Sequence, residues 1–416
     1  MSDAAYASSD GDSGDTEGGR HGALRALTSG ASPARGLRYR MLLLLLGCTA
    51  PVTPPTPSVD TSVDTSVDTA GPAPYTLSLA GELPLAGAMD VWGEGDIVVL
   101  AGGLNRDTSV LIADISDPAS PTALATISGL GQVRDVELHE GVLYAASDCN
   151  CRPATPEFDA WDGVGVRLYD LADPTAPRLL ATIGAPTASV HNLTVSGGVL
   201  YATSMLENAV VLFDVTDPTQ PVETGRWAPP DGGVHDQTLV GDRLYVAHGT
   251  GFSVVDVSDP TAPVTVQTVP VALLDGVYTS VHNVWPIDAE HVAVTQEQIG
   301  GKLEVWDLAT STRVATLVDG DEPNCAHTAY VFDGRLYVAW YLEGVRVFDL
   351  ADPAAPTLAA AYDTFAAATT AGDKPDIRGA WGLWVNAGRV VVGDTERGLV
   401  VLTEGGMNAA SPHPPI

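Results

Sequence analysis

An apolar strand that ends in Asp and runs into Asp-Pro-x-x-Pro recurs through the chain, and no other feature limits the architecture as much. Copies stand at Leu111–Pro121, Val166–Pro177, Val210–Pro221, Phe252–Pro263 and Val345–Pro356, and a sixth, Leu303–Thr312, keeps the strand without the prolines. The strand-end aspartates Asp114, Asp170, Asp214, Asp256, Asp307 and Asp349 fall 42 to 56 residues apart. Hairpins precede the copies at Val136–Ser147, Leu193–Ser204, Thr238–His248 and Ala329–Trp340. Short β-rich runs with Gly and Asp turns at this spacing predict three or four antiparallel strands per repeat. A period of about 40–45 residues with four strands is the signature of propeller blades.

Seven units are counted, beginning near Gly87, Arg134, His191, His235, His282, His327 and Trp381. The last, Trp384 to Thr403, has inner strands but no Asp-Pro-x-x-Pro strand, and Tyr75–Leu83 alternates correctly to supply it. The sequence therefore predicts an all-β, seven-bladed β-propeller over residues 75–403, closed by an N-terminal strand, with six blades as the alternative. These repeats resemble the LVIVD-repeat family of bacterial surface β-propellers, in which an apolar, Asp-terminated strand precedes Asp-Pro. The resemblance implies the fold and the match of Asp114 and its equivalents to the family's Asp. It implies no single activity. Hydrogen bonding of the following turn is the expected task of these aspartates. Tyr144, Tyr201, Tyr245 and Tyr337 share one register in the second strand and are expected to pack blade against blade.

Nine residues before the Leu of each Leu-Tyr pair, and at the corresponding places in other blades, stand Arg134, His191, His235, His282, His327 and Trp381, with a glycine near Gly87 in the remaining blade. The four histidines are spaced by 44, 47 and 45 residues. First strands line a propeller's channel, so one register predicts a ring of side chains converging on it. Neutral imidazole is the commonest transition-metal ligand, and three or four such nitrogens suit Zn, Fe or Cu. The competing reading is a polar lining inherited by duplication. Asn192, Asp236 and Asn283 follow the ring residues and are candidates to orient neighbouring imidazoles. Arg134, Trp381 and Asp236 are expected to face the channel or a substrate.

The long loop Asp148–Gly163 carries Cys149 and Cys151, and Cys325 stands two residues before His327. In an exported protein two of these three are expected to form a disulfide, with thiolate ligation of a metal as the alternative. This loop and the link Asp363–Arg378 fall on the ring's face, which marks it as the expected binding face. The sequence has no Gly-x-Ser-x-Gly, no His-Glu-x-x-His, no phosphate-cradling Gly-rich loop and no EF-hand loop.

Residues 1–40 are rich in Ser, Gly, Asp and Ala and read as a disordered leader or an over-extended gene start. Met41 to Gly47 followed by Cys48 resembles a bacterial lipoprotein signal, with Leu45-Leu46-Gly47 before a Cys48 that would be lipidated. Residues 48–74 form a Pro/Thr/Asp-rich tether with three copies of Ser-Val-Asp-Thr, and residues 404–416 read as a tail. The chain carries 20 Lys+Arg against 52 Asp+Glu, a net charge of −32. Nucleic-acid binding is excluded as an expectation, since phosphate neutralisation needs clustered cations. The expected function is a monomeric surface module, lipid-anchored outside the cytoplasm at the outer membrane or cell surface, that binds a protein or glycan. The alternative is a metal-dependent, oxidoreductase-like enzyme with Fe, Cu or Zn on His191, His235, His282 and His327. In that reading Arg134 attracts an anionic substrate.

Overall fold

A computed structural model describes residues 75–406, apart from 104–108, 150–161, 185–186, 231, 272–280, 298–301, 318–324, 366–376 and 387. Cys48, Cys151, the leader, the tether and the last ten residues lie outside the described residues. Among the described residues, twenty-eight strands form seven four-stranded antiparallel sheets. This is the seven-bladed propeller expected from the repeats. The inner strands are Ala88–Glu94, Val133–His139, Asn192–Ser196, Val234–Val240, Val281–Pro286, Thr328–Phe332 and Ala380–Asn386, in blades 1 to 7. Thr76–Leu83 pairs antiparallel with Gly398–Gly405 as the outer strand of blade 7, so first and last strands close the ring. Glu404, assigned to the tail by the sequence reading, belongs to this last strand and accepts hydrogen bonds from the hydroxyls of Tyr75 and Tyr337.

Local chemistry fixes the blades. The strand-end aspartates accept the backbone N–H two residues on, as in Asp114 with Ser116 at 2.7 Å, Asp214 with Thr216 at 2.9 Å and Asp349 with Ala351 at 2.8 Å. Asp307, in the copy without prolines, reaches one residue further, to Thr310 at 2.7 Å. These Asx turns are the task the sequence assigned to them. Inner hairpins turn through residues of positive φ, such as Glu140-Gly141 and Asp333-Gly334. Such pairs match the twist of adjoining strands.

The core is distributed over seven seams. Between blades 2 and 3, Tyr144, Val166 and Leu168 meet Leu193, Leu200 and Phe213. The seam between blades 3 and 4 joins Tyr201, Val210 and Leu212 to Leu244 and Val255. A fully buried leucine such as Leu168 or Leu200 contributes roughly 1.5–3 kcal/mol of transfer free energy. The four register tyrosines are all buried in these seams. Outer strands are exposed instead, with Val222 and Val264 each 59% accessible.

Candidate functional site

The inner strands place one residue each around one end of the channel. In blades 1, 2, 4, 5 and 7 the pairing of first and second strands shifts at that residue. A β-bulge bends the strand and re-aims the side chain that it carries. The bulges fall at Met89-Asp90, Arg134, His235-Asp236, His282-Asn283 and Trp381. The residue of blade 1 on this ring is thus Met89 and not the glycine near Gly87. Met89 Sδ lies 3.8 Å from Nη1 of Arg134.

His191, His235, His282 and His327 stand side by side as a row. Successive ring centroids are separated by 4.6, 4.4 and 4.2 Å. The row continues into Trp381 at 4.5 Å and Tyr341 at 4.9 Å from His327. The convergence on one point expected from the shared register is narrower than four residues. Among the described residues, one ligand set has its atoms within 4.8 Å of one another, namely His235, His282 and Glu297.

Glu297 was not anticipated from the sequence. It follows Gln296, which pairs with Val281 at the end of the second strand of blade 5. Asp148 follows Ser147 in the same way in blade 2, where Ser147 pairs with Val133. These two acids share a register, each beside a histidine of the row, and that register was the available signal. Glu297 Oε2 lies 3.6 Å from His282 Nε2, and its Oε1 accepts the Tyr341 hydroxyl at 2.5 Å. Asp148 Oδ2 lies 3.0 Å from His191 Nδ1 and its Oδ1 accepts the Ser189 hydroxyl at 2.6 Å.

These contacts set the proton positions. His191 directs its Nδ1–H to Asp148, and His327 directs Nδ1–H to the Trp381 carbonyl at 2.7 Å. Nε2 then carries the lone pair in the neutral ring, the arrangement typical of metal-binding histidines. Nδ1 of His235 and of His282 is buried with no hydrogen-bond partner. Burial, reinforced by the neighbouring imidazoles, holds His235 and His282 well below the ordinary histidine value. Burial also brings His327 down to about 3, against the hydrogen bond to the Trp381 carbonyl, which raises it. Neutral rings with unsatisfied nitrogens are the donor set that Zn, Cu or Fe takes. Burial works to raise Asp148, but its bond to His191 and the charges of His191 and Arg134 outweigh it and hold the carboxyl low.

The residues after the ring do not orient imidazoles. They join blades. Asp135 Oδ2 accepts the N–H of Leu193 at 3.1 Å, and Asn192 Oδ1 accepts that of Gln237 at 3.2 Å. Asp236 Oδ2 accepts from Asn283 Nδ2 at 3.0 Å, and Asn283 Oδ1 accepts the N–H of Ala329 at 3.3 Å. Asp236 is therefore a latch of the seam between blades 4 and 5. Innermost strands leave N–H groups unpaired on their open edge, and buried N–H groups must find acceptors.

Cys149 is disulfide-bonded, and its partner lies outside the described residues. Cys325 is a buried thiol outside any disulfide. His248 lies off the row, buried, with Nε2 2.8 Å from the Ser253 hydroxyl.

The repeat profile described as LVIVD repeat matches residues 88–127, 231–270 and 330–364. The chain carries LVIVD repeats. The matched LVIVD segments cover blades 1 and 4 and most of blade 6. Among solved structures the LVIVD-repeat propeller is similar to U3-55K, at 12% identity and a TM-score of 0.57, over 79% of this chain and 98% of that one. It is also similar to the WD40 β-propeller domain of Doa1, at 13% identity and a TM-score of 0.55, over 79% and 96%. The RRP9 WD40 repeats match at 12% identity and a TM-score of 0.56, over 79% and 96%. At such identities the likeness is one of fold. Among functionally curated proteins none matches the chain in sequence.

Proposed function

We propose that this β-propeller is a binding module whose binding site is the channel mouth built on the imidazole row. The observation that carries the reading is the row of imidazoles that four successive blades present at one mouth, with buried nitrogens of His235 and His282 lacking partners. Such nitrogens cost stability unless something binds them. A transition metal, Zn, Cu or Fe, fits His235, His282 and Glu297, with Tyr341 fixing the carboxylate. Trp381 and Tyr341 at the end of the row supply aromatic faces for a sugar or a protein side chain. Titration of the full chain with Zn(II), Cu(II) and Fe(II) by calorimetry tests the metal. His282→Ala should abolish a saturable one-site isotherm seen in the wild type, and a wild type without heat for any of the three contradicts it.

The module is proposed to act outside the cytoplasm, tethered by lipid on Cys48. Leu45-Leu46-Gly47-Cys48 and the spacer of residues 51–74 support this reading. Metabolic labelling with radioactive palmitate should mark the wild-type chain and not Cys48→Ala, and fractionation should move the variant out of the membrane. Equal labelling of both chains would refute the anchor.

A further inference from the structure

Arg134 holds the ring position of blade 2, between Met89 of blade 1 and His191 of blade 3. In a chain of net charge −32, arginines of the blade rims sit on carboxylates. Arg226 pairs with Glu207 and Glu223, and Arg397 with Glu82. Arg134 does not. Among the described residues its guanidinium meets only the thioether of Met89, and its Nε is buried without a partner. Its charge nevertheless reaches His235, His327 and Asp148. Asp148 is already engaged by His191 and Ser189.

A half-buried guanidinium without a carboxylate leaves a local positive field at the mouth of an acidic protein. Its planar fork of donors matches two oxygens of one anion. Desolvating such a group without an anion costs free energy that an arriving oxyanion recovers. We propose that Arg134 is the anion-recognising residue of the channel mouth and takes a carboxylate or phosphate group of the ligand. The inference rests on the reading of this mouth as the binding site. It names the chemistry of what enters. The bound group is held by the Arg134 fork at one end of the row, while His235, His282 and Glu297 lie further along it.

The test is calorimetry of the full chain with inorganic phosphate and with acetate, each in metal-free and Zn(II)-loaded protein. At least one anion should bind the wild type, and the responding anion distinguishes phosphate from carboxylate chemistry. Arg134→Gln should weaken that binding about tenfold or more, as expected for a lost charge-assisted hydrogen bond. Arg134→Lys, which keeps the charge without the fork, should fall between the two. Wild-type protein that binds neither anion, or Arg134→Gln and Arg134→Lys that bind as the wild type does, overturns the inference. Anion binding that depends on Arg134 in protein that takes up no metal would keep the inference and defeat the metal site instead.

Discussion

Asn283 donates from Nδ2 to Oδ2 of Asp236 at 3.0 Å, across the seam between blades 4 and 5, while its own Oδ1 accepts the Ala329 N–H at 3.3 Å from blade 6. One amide thus links three blades beside the imidazole row. In blades 4 and 5 the bulges that carry His235 and His282 also carry Asp236 and Asn283, which join this belt of Asp and Asn. Site and seam are built by one device.

Removing that amide should loosen the ring. Asn283→Ala leaves Asp236 and the Ala329 N–H without these partners, at a cost of about 1–3 kcal/mol. Urea unfolding followed by tryptophan fluorescence measures it. An unchanged midpoint would show that the belt adds nothing.

The buried acids of the belt make a pH-dependent difference between variants. Burial pushes Asp90 up to about 6 from 3.8, and burial with the charge of Asp90 pushes Asp135 up as well. Between pH 3.8 and about 6 the folded chain holds a proton on Asp90 that the unfolded chain has released. Stabilisation from this group is therefore complete below pH 3.8 and is lost as pH rises through 6. His327 acts in the opposite sense, since its lowered value means that acid favours the unfolded chain. The clean observable is Asp90→Asn, which keeps an acceptor for the Val136 N–H and cannot ionise. Relative to the wild type it should gain stability from pH 4 to pH 7, with most of the change complete by about pH 6.5. A difference constant over that range contradicts the assignment.

Ring closure depends on the last strand. Tyr337 donates to Glu404 Oε1 at 2.5 Å, and Tyr75 donates to the same oxygen. Tyr337→Phe should cost about 1–3 kcal/mol, because it removes a charge-assisted bond in a half-buried place. Amide hydrogen exchange over Gly398–Gly405 should rise before that of the inner strands. Uniform exchange across all blades would contradict a closure that opens first.

Blade 7 meets blade 1 so closely that a Cβ on Gly393 would strike the carbonyl of Met89. Gly393→Ala should cost about 1–3 kcal/mol through the forced backbone shift. It should also disturb Met89 and the Arg134 beside it, so anion and thermal measurements should change together. A silent substitution would show that the seam can yield.

Blade count, ring closure and the imidazole register were legible because they rest on local patterns that recur from blade to blade. Asp-Pro turns announce strand ends through side-chain acceptors two residues from their donors, and inner-strand histidines recur at a blade's length. What escaped depends on the bulges. A bulge shifts a strand by one residue, so blade 1 offers Met89 where counting placed a residue near Gly87, and Asp236 and Asn283 turn to the next blade instead of to a ring. Glu297 escaped because it follows the second strand, outside the histidine register, and its likeness to Asp148 emerges only when the pairs Val281 with Gln296 and Val133 with Ser147 are aligned.

The most direct test of the account is anomalous diffraction from crystals grown with Zn(II), Cu(II) or Fe(II), collected above and below the metal edge. The account predicts one strong peak about 2.0–2.2 Å from a nitrogen of His235, a nitrogen of His282 and an oxygen of Glu297. A map without a peak in the channel mouth, or with its peak on other residues, would contradict it.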